Sequence, residues 1–395
     1  MANKKRWSQQ TKMVHEAMPR SAYGETAEAL YLTSGFSYAS AEQAAARFSE
    51  EEDGFIYSRF GNPTVRSFEQ RMMALEGAED ARATATGMAA VTACMMSLLK
   101  AGDHIVAARA LFGSCRYVVE TLLPRFGVAC TLVDGRDLDA WQAAMRPETK
   151  LLFLETPSNP LLEIVDMAGV AEIAHAQDAL LVVDNVFATP MLQRPLEFGA
   201  DIVIYSATKH IDGQGRCLGG IVLGSADYIE NHLANFIRQT GPSLAPFNAW
   251  IMLKSLETLA LRVDAHCANA EKLADFLLGQ NKVTRMVYPG HDSHPQYALA
   301  QKQMQRGSNL IAFEVAGGQE NAFKLANALE IALISNNLGD AKTLITHPAT
   351  TTHAKLSDAA KAELGITAGS LRVSVGLEDG QDLVDDFANA LSKLD

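Results

Sequence analysis

Cysteines are few in this sequence, and none of them forms a C-x-x-C pair. The chain of 395 residues has five cysteines scattered along its length, and this number and spacing exclude a disulfide framework. Fixed-period repeats and low-complexity tracts are also absent, which excludes solenoids and propellers. The N-terminal segment is polar and lacks the apolar run of a secretory signal. We therefore expect a folded protein of the cytoplasm.

Long hydrophobic runs are missing as well. The uncharged segment of residues 83–99 contains three threonines, a serine and Gly87. A membrane-spanning helix needs about 18 or more consecutive, predominantly apolar residues, so this segment falls short. We predict a helix buried between protein layers, and no membrane span.

Positive charge is in deficit. The chain has 34 lysines and arginines against 46 acidic residues, which gives a net charge of −12. This balance argues against a protein whose main task is to neutralise nucleic-acid phosphates or to lie on an anionic membrane. It favours chemistry on small molecules.

The hydrophobic pattern predicts an α/β fold with a mainly parallel sheet. Short apolar runs alternate with segments long enough for crossover helices, the pattern of parallel strands covered on both faces. The predicted strands are 104–107, 128–133, 151–155, 180–184 and 201–206, with further strands at 310–315 and 371–375. We expect an N-terminal arm over 1–60, an α/β domain over 61–254 and a smaller α+β domain over 255–395 that begins with a long helix.

Two charged residues stand at the carboxyl ends of predicted strands. Lys209 follows the strand ending near Ser206, and Asp184 ends the strand before it. Buried charges are costly unless they are paired or used in chemistry. In enzymes that use pyridoxal phosphate (PLP), a lysine forms a Schiff base and an aspartate holds the pyridine nitrogen protonated. An ordinary surface lysine and a helix-capping aspartate are the alternative reading of this pair.

Other motifs point to other chemistries, but each is incomplete. Ser206-x-x-Lys209 matches the nucleophile pattern of penicillin-binding acyl enzymes, whose S-D-N and K-T-G companions are absent. Gly213-x-Gly215 lacks the spacing of a dinucleotide-binding loop. The loop histidines lack the spacing of a helical metal site, so we expect no metal.

The sequence resembles the Cys/Met-metabolism family of PLP enzymes, which have the aspartate-aminotransferase (fold type I) architecture. The resemblance covers nearly the whole chain and is carried by seven ordered blocks: Tyr57–Thr64, Thr86–Met88, Glu155–Pro160, Asp184–Asn185, Ser206–Lys209, His347–Pro348 and Arg372–Glu378. It implies PLP as the cofactor.

The resemblance also implies the roles of individual residues. Lys209 would be the Schiff-base lysine and proton shuttle, and Asp184 would hold the pyridine nitrogen. The expected phosphate-binding residues of the same chain are Gly87, Met88, Ser206 and Thr208.

Further implied roles concern the substrate and a neighbouring subunit. Arg372 would bind the substrate α-carboxylate, because a planar guanidinium holds a carboxylate with two hydrogen bonds, and Asn337 would contact the substrate. Asn159 would lie beside the cofactor ring hydroxyl. Tyr57, a catalytic candidate, and Arg59 would complete the phosphate site of the adjacent subunit. The family resemblance thus implies a homo-oligomer, a dimer or a tetramer built from dimers that share active sites.

One position departs from the family pattern. The ring-stacking residue of the family is usually a tyrosine, whereas Phe112 stands here. Phenylalanine retains the stacking surface but lacks the hydroxyl, so Tyr57 or Lys209 would have to supply any acid–base role of that group.

Three segments resemble those of the homoserine-ester sulfhydrylases within the family. They are Asn336–Leu344, Phe112–Ser114 and Asp212–Arg216. The implied reaction is a γ-replacement that converts O-succinyl-L-homoserine and sulfide to L-homocysteine and succinate in methionine biosynthesis. Cysteine as the acceptor and O-acetylhomoserine as the donor remain open alternatives, and methionine γ-lyase activity is disfavoured by Ser114.

Overall fold

The computed structural model describes residues 7–394 of the chain. Its helices are α1 Gln9–His15, α2 Ala41–Phe48, α3 Pro63–Glu76, α4 Gly87–Leu98, α5 Gly113–Tyr117, α6 Leu138–Ala144, α7 Met167–His175, α8 Thr189–Leu192, α9 Ala226–Tyr228, α10 Asn235–Thr240, α11 Pro246–Leu256, α12 Leu259–Leu278, α13 Tyr297–Gln303, α14 Gly318–Ala328, α15 Asp358–Glu363 and α16 Gly380–Ser392. Turns of π-helix span Val118–Leu122 and Ile229–Ala234, and 3-10 turns span Leu123–Phe126, Pro195–Phe198 and Pro348–Thr350.

The strands are β1 Asp80–Thr84, β2 His104–Ala108, β3 Ala129–Val133, β4 Thr149–Glu155, β5 Leu180–Asp184, β6 Ile202–Tyr205, β7 Gly220–Gly224, β8 Val283–Val287, β9 Leu310–Val315, β10 Leu333–Ile334, β11 Leu344–Thr346 and β12 Ser370–Ser374. All seven strands predicted from the sequence are present, within one or two residues at most ends. In the described residues, no helix combines the length and apolar character needed to cross a membrane.

The chain divides into two compact units, and each is made of several segments. Unit 1 contains residues up to Leu98 together with Ile204–Thr208 and Arg216–Thr258, and unit 2 contains Leu99–Val203, Lys209–Gly215 and the residues from Leu259 onward. The chain passes from one unit to the other within β6 and again on either side of the loop that begins at Lys209. The predicted domain boundaries at residues 60 and 254 stay a prediction.

In unit 1, helix α3 packs against β1 and α11. Asn62 caps α3 by accepting a hydrogen bond from the Thr64 backbone N–H at 2.9 Å, Pro63 occupies the first turn, and Gly77 ends the helix with a left-handed φ of 87°. These are the usual start and stop signals of a helix. Strand β1 pairs with β7 in antiparallel register.

The predicted N-terminal arm contains two short helices, α1 and α2. Ser40 is the N-cap of α2, and its side chain accepts a hydrogen bond from the Gln43 backbone N–H. Both helices have eight residues or fewer, too few for a sustained helical period to stand out in the sequence. Residues 1–6 of the predicted arm lie outside the described residues.

In unit 2, four parallel strands form the order β5-β4-β2-β3. Their side chains are buried on both faces along β2 and most of β4, as expected for parallel strands covered by crossover helices. The register of β4 and β5 sets Glu155 beside Asp184 at the carboxyl ends of both strands.

Unit 2 also contains a five-stranded sheet in the order β10-β11-β12-β9-β8. Its core joins apolar side chains of β9 and β12 with those of α12, α14 and α16, including Ile311, Phe313, Val373, Leu273 and Phe387. This is the smaller α+β arrangement that the sequence predicts.

The long helix predicted from about Ser255 is present as α12, with 20 residues, but it begins at Leu259, and Leu256 belongs to the preceding helix. Helix α11 ends at Leu256 and α12 begins at Leu259. Between them, the Thr258 backbone N–H and the Thr258 hydroxyl both donate to the Ser255 carbonyl at 3.3 Å. Threonine hydroxyls that hydrogen-bond to nearby carbonyls compete with the backbone hydrogen bonds of a helix. The apolar residues therefore keep helical spacing across a point at which the helix itself is interrupted.

Candidate active site

Lys209 lies in unit 2 with its amine inside the protein. Its Nζ donates a hydrogen bond to Asn337 Oδ1 at 2.6 Å. Burial and, to a smaller extent, the positive charge of Arg372 lower the pKa of Lys209 to about 8, against the opposing charge of Asp184. A neutral amine is therefore far more accessible near neutral pH than for an exposed lysine, and a neutral amine is what a base or nucleophile requires.

Asp184 ends strand β5 on the same unit. Its Oδ1 accepts a hydrogen bond from the Val186 backbone N–H at 3.1 Å. Burial raises the pKa of Asp184 to about 7, while the Val186 N–H and the charge of Lys209 hold it down. A desolvated carboxylate with so little hydrogen bonding is stabilised by a positively charged partner, and a protonated pyridine nitrogen would be such a partner.

Two residues beside Asp184 were not given a role from the sequence. Cys115, Glu155 and Asp184 place one polar atom each within 4.8 Å of one another. Glu155 Oε1 accepts a hydrogen bond from the Phe112 backbone N–H at 2.7 Å. The signal that could have found Glu155 is its position at the end of a strand, since carboxyl ends of adjacent parallel strands form ligand sites.

Arg372, on strand β12, is almost fully buried, with an exposed fraction of 2%. Its Nη1 donates to Asn159 Oδ1 at 2.8 Å, and its Nη2 donates to the Asn336 and Asn337 carbonyls at 3.0 and 3.3 Å. Within residues 7–394, Nε has no hydrogen-bond partner. Burial lowers the pKa of Arg372 to about 10. A buried guanidinium held only by neutral groups is suited to an anionic ligand.

Asn337 connects Arg372 with Lys209, and Asn159 is a further partner of Arg372. Asn159 accepts from Arg372, while Asn337 accepts from Lys209 through its side chain and from Arg372 through its carbonyl. The structure therefore joins four of the predicted site residues, Lys209, Asn337, Arg372 and Asn159, in one hydrogen-bonded chain. The predicted contacts of Asn159 with the cofactor and of Asn337 with the substrate stay predictions.

Phe112 caps helix α5, and its ring is partly exposed to solvent, with an exposed fraction of 36%. Its backbone N–H is anchored on Glu155. An exposed ring on an anchored backbone is suited to stack on a flat ligand, and that role stays a prediction.

The predicted phosphate-binding residues lie in unit 1. Helix α4 begins at Gly87, and a Cβ added there would lie 2.5 Å from Ser206 Cβ. Only glycine permits this close approach. It brings the first turn of a twelve-residue helix, where backbone N–H groups can bind an anion, to the hydroxyl of Ser206.

The other two predicted phosphate contacts are on the same unit. Met88 is the second residue of α4, and Thr208 exchanges hydrogen bonds with the backbone of Gly219 at 3.1 to 3.3 Å. The chemistry and arrangement of Gly87, Met88, Ser206 and Thr208 suit a phosphate group, and Lys209 follows Thr208 directly in the chain.

Tyr57 and Arg59 also belong to unit 1. Tyr57 is exposed, and the Arg59 guanidinium lies 5.4 Å from the centre of the Tyr57 ring and 4.8 Å from that of Phe60. Arg59 also donates to the Arg238 carbonyl. Their predicted insertion into a neighbouring subunit stays a prediction.

The cysteines have the character of buried apolar residues. Cys94, Cys115 and Cys267 are buried, and Cys130 and Cys217 are partly buried. Burial raises the pKa of Cys94 and Cys267 to about 12 and that of Cys130 to about 11. Thiols that remain protonated make poor nucleophiles.

Comparison with known proteins places the chain in one family. Residues 10–392 match the family described as Cys/Met metabolism PLP-dependent enzymes. An O-succinylhomoserine sulfhydrylase of Mycobacterium tuberculosis is 50% identical over 98% of this chain and 96% of its own length. One from Pseudomonas aeruginosa is 49% identical over 97% of this chain and 95% of its own length.

A solved structure confirms the fold. A Campylobacter jejuni protein that contains N'-pyridoxyl-lysine-5'-monophosphate matches with a TM-score of 0.94 and 31% identity, over 98% of this chain and all of its own chain. The predicted fold type I architecture and the predicted cofactor, PLP, are thereby confirmed. The chain belongs to the PLP-dependent enzymes of cysteine and methionine metabolism.

Proposed function

We propose that this enzyme catalyses a γ-replacement in which O-succinyl-L-homoserine and sulfide give L-homocysteine and succinate, a step of methionine biosynthesis. The observation that carries the proposal is the 50% identity, over nearly the full length of both chains, to a protein named for this sulfhydrylation. The buried Arg372 with its unpaired Nε supplies a site for the carboxylate of an amino-acid substrate.

The cofactor supplies an electron sink for negative charge at the substrate α-carbon. Asp184 would hold the pyridine nitrogen in its charged form, and Gly87, Met88, Ser206 and Thr208 would hold the phosphate. The Phe112 side chain would stack on the pyridine ring of the cofactor.

The protein's own groups would move the protons. Lys209 Nζ, with its pKa lowered to about 8, would take the proton from Cα and assist removal of a proton from Cβ. Succinate leaves as the Cγ–O bond breaks, hydrosulfide forms the new Cγ–S bond, and Lys209 returns the protons. Arg372 would keep the α-carboxylate fixed, so that the Cα–H bond stays in reach of Lys209. Tyr57 of a neighbouring subunit is the further candidate for proton transfer.

Five scattered cysteines without a C-x-x-C pair suit a reducing compartment, and we include a cytoplasmic location in the proposal. The exposed Tyr57 beside Arg59 suits a homo-oligomer, a dimer or a tetramer of dimers, in which one subunit contributes to the site of the next.

A competition experiment tests the reaction. The purified protein with PLP is given O-succinyl-L-homoserine together with equal concentrations of sulfide and cysteine, and the products are identified by mass spectrometry. We expect mainly homocysteine. Mainly cystathionine would make the enzyme a cystathionine γ-synthase and refute sulfide as the preferred acceptor.

The donor is tested in the same way. Equal O-succinyl- and O-acetyl-L-homoserine compete for limiting enzyme with sulfide in excess, and we expect succinate to be released faster than acetate. Faster acetate release would assign O-acetylhomoserine as the donor. In a separate assay with methionine as the substrate, methanethiol formation as fast as succinate release would indicate a γ-lyase.

A further inference from the structure

Two carboxyl groups stand side by side in unit 2. Glu155 and Asp184 are register partners at the ends of the parallel strands β4 and β5, and register partners on adjacent strands direct their side chains to the same face of a sheet. Together with the Cys115 thiol, they bring one polar atom each within 4.8 Å of one another. Two carboxylates this close in a desolvated site cannot both be ionised at neutral pH, so the pair retains a proton.

The surroundings of the two groups differ. Glu155 is 6% exposed and contacts neutral groups, namely the Cys115 thiol and the backbone N–H groups of Phe112 and Asn159. Asp184 faces the positive charge of Lys209. A cation stabilises the ionised form of a carboxyl group. The negative charge therefore belongs on Asp184 and the proton on Glu155.

The titration behaviour of the cluster agrees with this division. Burial and the adjacent Asp184 raise the pKa of Glu155 well above its usual range, against the opposing hydrogen bonds from Phe112, Cys115 and Asn159. Burial, Glu155 and Asp184 likewise raise the pKa of the Cys115 thiol. Cys115 thus remains a neutral hydrogen-bond donor to Glu155.

We propose that Glu155 is a positioning residue that remains a neutral carboxylic acid, so that Asp184 is the single anion of the pair and the Phe112 backbone is held in place. The proposal rests on the role proposed for Asp184 toward the cofactor. The protonation of Glu155 itself can be measured without cofactor or substrate, which keeps the two proposals separable.

The first test is the pH dependence of folding. After cofactor removal, the full chain is unfolded by urea between pH 5 and pH 8 as wild type, as Glu155→Gln and as Glu320→Gln, an exposed glutamate on α14. The folded protein retains the Glu155 proton and the unfolded chain releases it, so stability falls as pH rises above the ordinary glutamate pKa of about 4.3. In wild type and in Glu320→Gln, the equilibrium constant for unfolding should rise with pH more steeply than in Glu155→Gln. The difference in slope should be up to about a factor of ten per pH unit. Equal pH dependence in all three proteins would overturn the proposal.

The second test uses cofactor binding. Glutamine is a neutral isostere of a protonated glutamate, so Glu155→Gln should keep the visible spectrum of bound PLP and its dissociation constant within a few-fold. Asp184→Asn should weaken PLP binding much more. Equal loss of PLP in both variants would assign negative charge to Glu155 and contradict the inference. Normal PLP binding by Asp184→Asn would refute the role of Asp184, and the unfolding experiment would still decide the state of Glu155.

A measurement on the wild type covers the case in which Glu155→Gln does not fold. Infrared spectroscopy of the full chain should show the carbonyl stretch of a protonated carboxyl group at pH 7. Absence of that band would refute a neutral Glu155.

Discussion

At the residue scale, opposite charges share one buried region of unit 2. Burial moves the pKa of Lys209 down to about 8 and that of Asp184 up to about 7. Each shift favours the neutral form, and the mutual attraction of the two groups limits both shifts. Both groups are thus close to their titration points near neutral pH, as expected of groups that exchange protons or bind a charged ring.

Arg372 is the residue whose replacement should separate binding from chemistry. Arg372→Lys keeps the positive charge but loses the planar fork and the bonds to Asn159, Asn336 and Asn337. We expect kcat/KM for O-succinyl-L-homoserine to fall by about 10- to 100-fold, the equivalent of a lost charged hydrogen bond of about 1.5–3 kcal/mol. The loss should fall mainly on KM, because the carboxylate is bound similarly before and during reaction.

Steady-state kinetics measure this effect. Arg285→Lys, at an exposed position of β8, is the matched control and should leave both constants unchanged. An Arg372→Lys enzyme with wild-type kinetics would exclude Arg372 from carboxylate binding.

At the element scale, one side chain connects helix α16 with the segment between α14 and β10. Asp386 on α16 is buried and accepts hydrogen bonds from the backbone N–H groups of Glu330, Ile331 and Ala332 at 2.8, 3.0 and 3.3 Å. These residues lead from α14 into β10. The carboxylate thus satisfies donors that helix and sheet leave unpaired.

Replacement of Asp386 should destabilise the fold without altering the chemistry. Asp386→Asn puts an amide N–H₂ against these donors, and we expect the free energy of unfolding to fall by about 1–3 kcal/mol, the usual cost of an unsatisfied buried group. Urea unfolding measures the change. The control is Asp385→Asn. Among the described residues, the Asp385 carboxylate accepts a hydrogen bond only from the exposed Gln381 side chain, so this variant should change the free energy of unfolding by less than about 0.5 kcal/mol. Equal stability of the two variants would show that these hydrogen bonds contribute little.

At the scale of the whole molecule, the proposed sharing of sites between subunits can be tested by mixing. Lys209→Ala removes the amine that binds PLP, and Tyr57→Phe removes the proposed hydroxyl from the neighbouring site. If each site takes Lys209 from one chain and Tyr57 from the other, a mixed dimer regains one intact site of two. Random mixing of two inactive variants should then restore up to about one quarter of wild-type activity.

Subunit exchange is verified by mass spectrometry with isotopically labelled chains. Exchange without recovery of activity would place Tyr57 and Lys209 in the same chain's site. Visible absorbance should be missing from Lys209→Ala alone, and a variant that retained it would refute the assignment of this lysine.

Much of the fold and part of the site followed from the sequence. The parallel strands were recognisable as short apolar runs, because strands buried on both faces consist mainly of apolar residues. Lys209 and Asp184 stood out because charged residues at the ends of buried strands are rare without a role, whereas Arg372 was predicted from the family resemblance. Strands β1, β7, β8, β10 and β11 and the helix break at Thr258 were missed. Strands β1 and β8 contain charged residues, and β10 and β11 have only two and three residues, so their apolar runs are interrupted or too short to stand out.

Tertiary structure decided which of these residues meet. Arg372 and Asn159 are 213 positions apart and Lys209 and Asn337 are 128 apart, and no local pattern encodes contacts over such separations. The pairing of Glu155 with Asp184 depends on β4 lying next to β5 in register. The pKa values depend in turn on that pairing, since desolvation and neighbouring charge arise only when the chain is folded. The sequence by itself therefore determined the family, the cofactor and the residue types available, whereas packing decided their contacts and charges.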